Sequence, residues 1–391
     1  MTYPAQIPSL EQNRRDTRID VLRALALLTI FIDHVPGNTL DTLTYKNFGF
    51  SDAAEAFVLI SGISVALAYG GKFIAGDWLK PTLKLWRRAG VLYVAHIAVT
   101  MAAIALFCFG ATVAARPDLL TQINLEPIFT KTPETLIGIV TLGHQLGYNN
   151  ILPVYAAIML AAPLALWMAP RRPAATLAVS GAVWLAAGIW QVAPHNYPEP
   201  GFWFMNPLSW QFLFFIGLVG AVHVRQGGTI PVRGWAVALA GAYAVFALVW
   251  VRTPLWGVVS WFGLPPVLGG FDKTFLSLPR LLHVLAVAYL VISLCSVSSA
   301  LRWSLDHPLV VLGRRSLPVF IAGTLLAMVA QVLRLLHGGG PFYDASLLIA
   351  GTIAQFALAY YLDWQARLGK AQPADARAAR QARPAYATVR N

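Results

Sequence analysis

The segment Asp20-Val-Leu-Arg23-Ala-Leu-Ala-Leu-Leu-Thr-Ile-Phe-Ile-Asp33-His34 combines an apolar run with four ionisable side chains. On a helix with about 100° per residue, Asp20, Arg23 and His34 fall within roughly 60° of one another. At about 1.5 Å rise per residue, Asp20 and His34 stand roughly 21 Å apart, near opposite ends of the hydrocarbon core. Ionisable groups are costly inside a bilayer, so this face predicts a functional site rather than polar groups satisfied by neighbouring helices alone.

Composition places the chain among polytopic membrane proteins. Apolar residues make up 57% of the 391 residues, charged residues make up 12%, and the mean hydropathy is +0.61. Several apolar runs reach the length of about 18 residues that a membrane-spanning helix needs. We therefore expect an all-α, polytopic helical membrane protein with about ten transmembrane helices. The predicted spans are 19–37, 51–71, 86–110, 150–170, 174–194, 207–225, 233–252, 280–300, 316–336 and 345–366.

A further apolar stretch, 135–148, is too short to span and is predicted to be re-entrant or interfacial. The net charge of +12 is explained by membrane orientation rather than by nucleic-acid binding. If both termini are cytoplasmic, 22 of the 29 lysines and arginines lie in inside segments and seven lie outside. This positive-inside bias predicts cytoplasmic termini. Because the chain has no basic-aromatic nucleic-acid motif, we expect a lipid bilayer and no nucleic acid as a partner.

One integral membrane domain is predicted over residues 14–366. Residues 1–13 form a polar N-terminal segment, and the first span lacks a small-residue cleavage site, so we expect an uncleaved first helix rather than a signal peptide. Residues 367–391, rich in Ala, Arg, Gln and Pro, are predicted to be a disordered basic tail. Cys108 and Cys295 lie inside apolar spans, which predicts neither a disulfide nor a metal site.

The second predicted span begins with Gly49-Phe-Ser51-Asp52-Ala-Ala-Glu55. Asp52 as N-cap and Glu55 at the third helical position predict a capping box, with acids at the positive end of the helix dipole. These residues begin the helix at the membrane level where the first span exits after His34. A carboxylate there is expected to orient the imidazole and to stabilise its protonated form, with Glu55 as first choice and Asp52 as second. Capping and function are compatible with each other.

Under this topology a set of polar side chains falls at the same outer level. Each of them alone is more typical of a loop or a cap, but their shared depth predicts a polar, hydroxyl-binding cavity that opens outward. The set is His144, Tyr148, Asn206, Trp210, Gln211, Arg280 and His283.

Aromatic residues concentrate in two outer loops. They fit either stacking on sugar faces or an interfacial belt, and the belt is favoured. They are Tyr197, Phe202, Trp203, Phe204, Trp210, Trp250, Trp256 and Trp261.

Arginines gather at the opposite, inner level. The positive-inside rule accounts for most of them, but guanidinium groups also bind the phosphates of an anionic donor through paired hydrogen bonds. The candidates for such a role are Arg18, Arg23, Arg87, Arg314 and Arg315.

Several of these segments resemble a known family. The stretch from Asp20 to His34 resembles the first-helix signature of membrane acyltransferases of the acyltransferase-3 class. The segment from Gly49 to Gly62 is similar to the narrower group of OpgC-type succinyltransferases of osmoregulated periplasmic glucans. Supporting segments are Leu142-Gly-His144-Gln-Leu-Gly-Tyr148, Asn206-Pro-Leu-Ser-Trp210-Gln211 and Leu312-Gly-Arg-Arg-Ser316-Leu-Pro-Val-Phe320. The resemblance covers most of residues 14–366.

The resemblance implies an acyl group, succinyl in the narrower group, that passes from cytosolic acyl-CoA to a hydroxyl of a periplasmic glucan. It further implies a multi-pass protein of the bacterial inner membrane, with acyl-CoA and glycan as partners and no permanently bound cofactor or metal. The essential histidine of the broader family corresponds to His34 and its first-helix arginine to Arg23. Ala24 stands where that family commonly has glycine, and we expect little consequence.

Two classes of function remain open on the residues. In an O-acyltransferase, His34 is the general base, Glu55 or Asp52 orients it, and the acyl group moves directly or through an acyl-imidazole. In a proton-coupled transporter or flippase of a glycan-related substrate, His34, Asp33 and Glu55 form a proton relay. A structural partner in a glycan-synthesis complex is a weaker third possibility. The oligomeric state is not predicted.

Overall fold

The computed structural model describes residues 15–253, 255 and 263–381, and the regular elements in these ranges are helices. Trp256, Trp261, the predicted N-terminal segment 1–13 and the end of the predicted tail, 382–391, lie outside the described residues. The α-helices are α1 Thr17–Asp33, α2 Ala53–Ile74, α3 Leu79–Val113, α4 Glu126–Thr130, α5 Thr132–Val140, α6 Ile151–Met168, α7 Pro173–Ile189, α8 Pro207–Arg225, α9 Gly234–Arg252, α10 Pro266–Gly269, α11 Leu278–Ser293, α12 Cys295–Ala300, α13 Pro308–Arg314, α14 Ser316–His337 and α15 Pro341–Gln381.

Three short 3₁₀ helices connect some of these elements, at Thr39–Leu43, Tyr45–Asn47 and Pro117–Asn124. Within the described ranges, seven helices are long and apolar enough to cross a membrane: α2, α3, α6, α8, α9, α14 and α15. The all-helical, polytopic membrane fold is therefore confirmed. Each of the ten predicted spans overlaps a helix, and the shorter α1, α7 and α11 account for the remaining three. The number of helices that cross the bilayer and the side of the termini stay predictions.

Helix α15 extends beyond the predicted end of the membrane domain. It runs from Pro341 to Gln381, so residues 367–381 are helical where a disordered tail was expected. Ala, Arg, Gln and Lys are strong helix formers, and they continue the helix that the apolar part of α15 has already nucleated.

The centre of the bundle depends on close backbone contact between α2 and α8. A methyl group added at Gly62 of α2 would lie 1.9 Å from the carbonyl oxygen of Phe214, and one added at Gly217 of α8 would lie 2.4 Å from that of Leu59. Small residues at such contacts are the usual way for membrane helices to approach closely. The glycines therefore fix α2 against α8.

Helix α1 packs against α2, α13 and α14. Phe31 near its C-terminal end and Val35 just after it pack with Ala327 and Ala330 of α14. Because α1 and α2 are antiparallel neighbours, the bundle has two ends that matter below. The His34 end is where α1 ends and α2 begins, and the Arg18 end is where α1 begins.

Candidate functional site

A cavity of about 540 Å³ opens at the His34 end of the bundle. It is formed by loop residues around α5, by the loop before α8, by the segment before α11 and by α14. Its lining residues are Ile123, Asn124, Gly143, His144, Gln145, Gly147, Tyr148, Asn150, Asn196, Glu199, Phe202, Phe204, Thr274 and Gln331. The volume is within the range of about 300–1,000 Å³ that is usual for small-molecule sites.

The cavity wall is polar but nearly uncharged. Five of its residues are asparagine or glutamine, two are phenylalanine, and Glu199 alone among these described lining residues carries a formal charge. That carboxylate lies 3.2 Å from the ammonium of Lys131, which balances it. Amide groups donate and accept hydrogen bonds, and aromatic rings offer flat apolar faces. Such a wall fits a neutral, hydroxyl-rich ligand better than an anionic one.

His34 lies next to the cavity wall, because its ring stacks on Tyr148. The two rings stack with their centroids 4.4 Å apart and their planes 18° from parallel. Tyr148 itself lines the cavity. Among the described residues, His34 Nδ1 has no hydrogen-bond partner although it is buried. The imidazole thus stacks on a ring of the cavity wall, and its Nδ1 has no partner among the described residues.

The N-terminus of α2 carries the predicted capping box. The Asp52 carboxylate accepts from the N–H of Ala54 at 2.8 Å, and the Glu55 carboxylate accepts from the N–H of Asp52 at 2.9 Å. Two donors that the helix leaves unpaired are thereby satisfied. This part of the sequence prediction is confirmed.

Glu55 is fully buried, and its charge is balanced by α11. Arg280 Nε donates to Glu55 Oε1 at 2.7 Å, and its Nη2 lies 3.3 Å from Asp52 Oδ2. Lys273 also pairs with Asp52. Two cations thus meet two carboxylates, and the set is neutral. Burial of paired charges is tolerated, whereas removal of one partner is strongly unfavourable.

The expected hydrogen bond between His34 and a carboxylate of α2 is not present. Both oxygens of Glu55 are engaged by Arg280 and by the backbone of Asp52, and the Asp52 carboxylate is engaged by Lys273, Arg280 and Ala54. The sequence correctly predicted that Asp52 and Glu55 lie at the same end of the bundle as His34. It did not show that α11 brings Arg280 to that end. The predicted hydrogen bond from Glu55 or Asp52 to His34 is therefore wrong for this structure, in which the imidazole stacks on Tyr148. The catalytic roles of these residues stay predictions.

His283 lies one turn after Arg280 and fixes the chain just before α2. Its Nδ1 lies 2.7 Å from Ser51 Oγ and 3.3 Å from the Ser51 nitrogen. Because the backbone N–H can donate but not accept, the ring nitrogen is the acceptor and the hydroxyl donates to it as well. Gly49 allows this approach, since a methyl group there would lie 2.0 Å from the ring. Arg280 and His283 therefore contact α2 and its preceding loop, not the cavity.

Three more predicted acceptor residues also lie outside the cavity wall. Trp210 Nε1 donates to the Lys273 carbonyl at 3.0 Å, and the Asn206 N–H donates to the Thr274 carbonyl at 3.0 Å. Gln211 exchanges hydrogen bonds with Ser180 of α7. All three residues are buried. The Trp210 side chain and the Asn206 backbone hold the segment that carries Thr274 to the cavity, whereas Gln211 joins α8 to α7. Of the predicted acceptor set, His144 and Tyr148 line the cavity.

The Arg18 end contains most of the predicted donor site. Arg314 and Arg315 lie 3.0 and 3.1 Å from the same oxygen of Asp363, and Arg367 lies 2.9 Å from the other oxygen. Three guanidinium groups thus share this carboxylate, although Arg367 also pairs with Asp306. The excess of positive charge suits an anionic ligand.

Arg23 adjoins this group, because it donates to the Gly313 carbonyl at 3.3 Å and to Ser64 of α2. Arg18 is paired with Asp16 and with Ser298, 2.6 Å away. Arg87 is exposed on α3 and takes no part in these described contacts. The structure thus brings Arg23, Arg314 and Arg315 together and leaves Arg87 apart.

Sequence analysis missed most of the cavity wall. Asn124, Gln145, Asn196 and Thr274 lie in loops, where no periodicity marks them. Gln331 left a signal, since it is a polar residue inside the apolar run of α14. The aromatic loop was noted, and two of its members, Phe202 and Phe204, line the cavity. They are therefore available for stacking on a ligand and not confined to a membrane belt.

Comparison with known proteins gives a family match. The family model described as OpgC protein matches residues 15–367, which is nearly all of the described chain. No curated protein matches the chain.

The buried pair of Glu55 and Arg280 predicts a large effect on stability. Arg280→Met leaves the Glu55 carboxylate buried without its cation, so the purified protein should lose roughly 3–5 kcal/mol of stability and melt at a lower temperature. The double variant with Glu55→Gln should regain part of that loss. Lys131→Met is the matched control, because its pair with Glu199 is exposed and contributes about 0–1 kcal/mol. Equal melting temperatures for Arg280→Met and Lys131→Met would contradict the assignment.

Proposed function

The chain belongs to the OpgC protein family, and on this premise we propose that it is a transmembrane O-acyltransferase that moves a succinyl group from cytosolic succinyl-CoA to a hydroxyl of a periplasmic glucan. Family membership indicates a glucan-modifying acyltransferase, and the long apolar helices fit a membrane protein. The proposal adds the acyl-CoA donor, the succinyl group and the bacterial inner membrane as the location.

The observation that carries the proposal is the stack of His34 on a residue of the cavity wall. The imidazole lies against Tyr148 with a free, buried nitrogen, at the edge of a cavity rich in amides and aromatic rings. A sugar in this cavity would present hydroxyl groups near a neutral imidazole, which can accept a proton at its unprotonated nitrogen. That combination is suited to activation of a hydroxyl nucleophile.

The reaction needs one proton transfer and one acyl transfer. His34 takes the proton of the acceptor hydroxyl while the hydroxyl oxygen attacks the thioester carbonyl carbon. A C–O ester bond forms, the C–S bond breaks, and the proton held by His34 passes to the departing CoA sulfur. Direct transfer is the simpler route, and an acyl-imidazole on His34 is the alternative, which differs in forming a covalent intermediate on the enzyme.

The arginines at the Arg18 end support binding of the nucleotide part of the donor. Arg314 and Arg315 share Asp363 with Arg367, and each guanidinium has further donors than this one carboxylate occupies. Among described contacts, the Nε atoms of Arg314 and Arg315 are buried without a hydrogen-bond partner. Phosphate groups accept several such hydrogen bonds at once. The donor would thus enter at the end of α1 opposite to His34.

The transporter hypothesis is less favoured, because no described hydrogen bond joins Glu55 to His34 or Asp33 in the proposed proton relay. A relay through His34, Asp33 and Glu55 requires Glu55 to exchange protons with the others, but both of its oxygens are engaged by Arg280 and by the backbone of Asp52. Asp33 lies 3.5 Å from Lys46. Transport of an unmodified glycan remains the outcome that would favour this class.

His34→Ala should insert and fold normally but lose acyl transfer by about 10²-fold or more, which is the usual contribution of a positioned general base. The measurement is transfer of labelled succinyl from succinyl-CoA to glucan by purified protein. His223→Ala, at an exposed position near the end of α8, is the matched control and should retain activity. Near-normal transfer by folded His34→Ala would refute the proposed mechanism.

Arg314→Gln and Arg315→Gln should each raise the KM for succinyl-CoA by roughly tenfold, with the KM for glucan unchanged, because a charged hydrogen bond to phosphate is lost. Asp363 keeps two guanidinium partners in each variant, so the bundle should stay folded. Arg116→Gln, an exposed arginine paired with Asp118, is the control. Unchanged donor kinetics in both variants would remove these residues from the donor site.

A further inference from the structure

Gln331 of α14 has an unusual environment in the cavity wall. Its side chain lines the cavity, yet the residue is only 9% exposed. Among the described residues, its Oε1 has no hydrogen-bond partner. Buried amide oxygens are nearly always paired, and an unpaired one is costly. The cost is offset if a ligand in the cavity supplies the missing donor.

The position of Gln331 along the bundle places it near the reacting groups. It follows Ala330, which packs with Phe31 and Val35 in the contact between α14 and α1. His34 directly precedes Val35, and its stacking partner Tyr148 lines the same cavity as Gln331. A ligand in this cavity that meets His34 over Tyr148 therefore has Gln331 at its side.

The chemistry of the amide oxygen restricts what it binds. An amide carbonyl accepts hydrogen bonds and carries no charge, so it pairs with O–H or N–H donors. Carboxylate and phosphate groups have acceptors alone at neutral pH and would be disfavoured beside it. A pyranose ring has hydroxyls on adjacent carbons, so one can donate to Gln331 while its neighbour faces the base.

We propose that Gln331 Oε1 accepts a hydrogen bond from an acceptor-sugar hydroxyl next to the one that is acylated, and thereby selects the site of acylation. This inference rests on the proposed acyltransferase function. Gln331 acts here as a specificity-determining residue, since it holds the sugar and takes no part in proton transfer. Replacement of Gln331 should therefore change the KM for glucan and the position of the ester on the sugar, and it should leave the KM for succinyl-CoA unchanged.

The first test is Gln331→Met, which keeps the length of the side chain and removes the acceptor oxygen. The KM for glucan should rise roughly tenfold, the usual value of a lost hydrogen bond in a buried site, while kcat and the donor KM change little. NMR of the product should show esters at several ring positions instead of one. A single unchanged ester position and an unchanged acceptor KM would overturn the proposal.

Gln355→Met is the matched control. Gln355 of α15 is also buried and its Oε1 is also unpaired among described residues, but it does not line the cavity. Its replacement should leave acceptor KM and regiochemistry unchanged. Equal effects of the two substitutions would show that Gln331 acts through packing, which contradicts the proposal.

The second test uses the unaltered protein and so does not depend on folding of a variant. Short gluco-oligosaccharides that each lack one hydroxyl are compared as acceptors. One deoxy position, adjacent to the acylated one, should raise the KM roughly tenfold, and this penalty should vanish in Gln331→Met. If no deoxy position next to the acylated one raises the KM, the proposal fails. If the unaltered protein forms no ester with intact acceptors, the proposed function fails instead.

Discussion

The buried carboxylate of Glu55 is the constraint around which the His34 end is built. A charge inside the bundle must be paired, and Glu55 meets this need by accepting from Arg280 and from the N–H of Asp52. The same group therefore caps α2 and joins its first turn to the first turn of α11. One turn further along α11, His283 binds Ser51 just before α2. These two contacts fix the end of the loop that begins at His34.

The two ends of α1 are chemically different. At the His34 end, charges are paired into a neutral set, and the cavity beyond them is lined by amides and aromatic rings. At the Arg18 end, three guanidiniums share the Asp363 carboxylate. The amide-rich cavity would suit a neutral, hydroxyl-rich ligand, and the arginine group at the opposite end of α1 would suit an anionic one. The proposed transfer between a cytosolic donor and a periplasmic acceptor needs such a separation.

Orientation of His34 by Tyr148 instead of a carboxylate changes how the proposed base works. The stack fixes the plane of the imidazole through an uncharged ring that also contacts the cavity. In the proposed mechanism, substrate binding and orientation of the base are therefore coupled through Tyr148. A sugar that contacts Tyr148 meets the ring that holds the base, so misplacement of the sugar and misplacement of the imidazole are linked.

The sequence allowed the helices and the capping box of α2 to be predicted, because hydropathy and local spacing determine both. The partners of Glu55 and His34 were missed because α11 and the loop before α6 reach them from more than 100 residues away, and depth in the membrane does not identify a neighbour. Asn206 and Trp210 were expected in the cavity because they share its level, but they support its wall from behind. Gln331 was not predicted, because its polar side chain lies inside the apolar run of α14 and the depth of a residue does not show which cavity it faces.

Transfer of succinyl across the membrane of sealed vesicles tests the central claim most directly. Protein is reconstituted with glucan trapped in the lumen, and succinyl-CoA labelled separately in its succinyl and CoA parts is added outside. The account predicts succinyl ester on lumenal glucan while the CoA label stays outside. Vesicles in which the protein has the opposite orientation, so that the added donor meets only the His34 end, should show no activity. Ester formation that requires donor and glucan on the same side, or passage of unmodified glucan without ester, would contradict it.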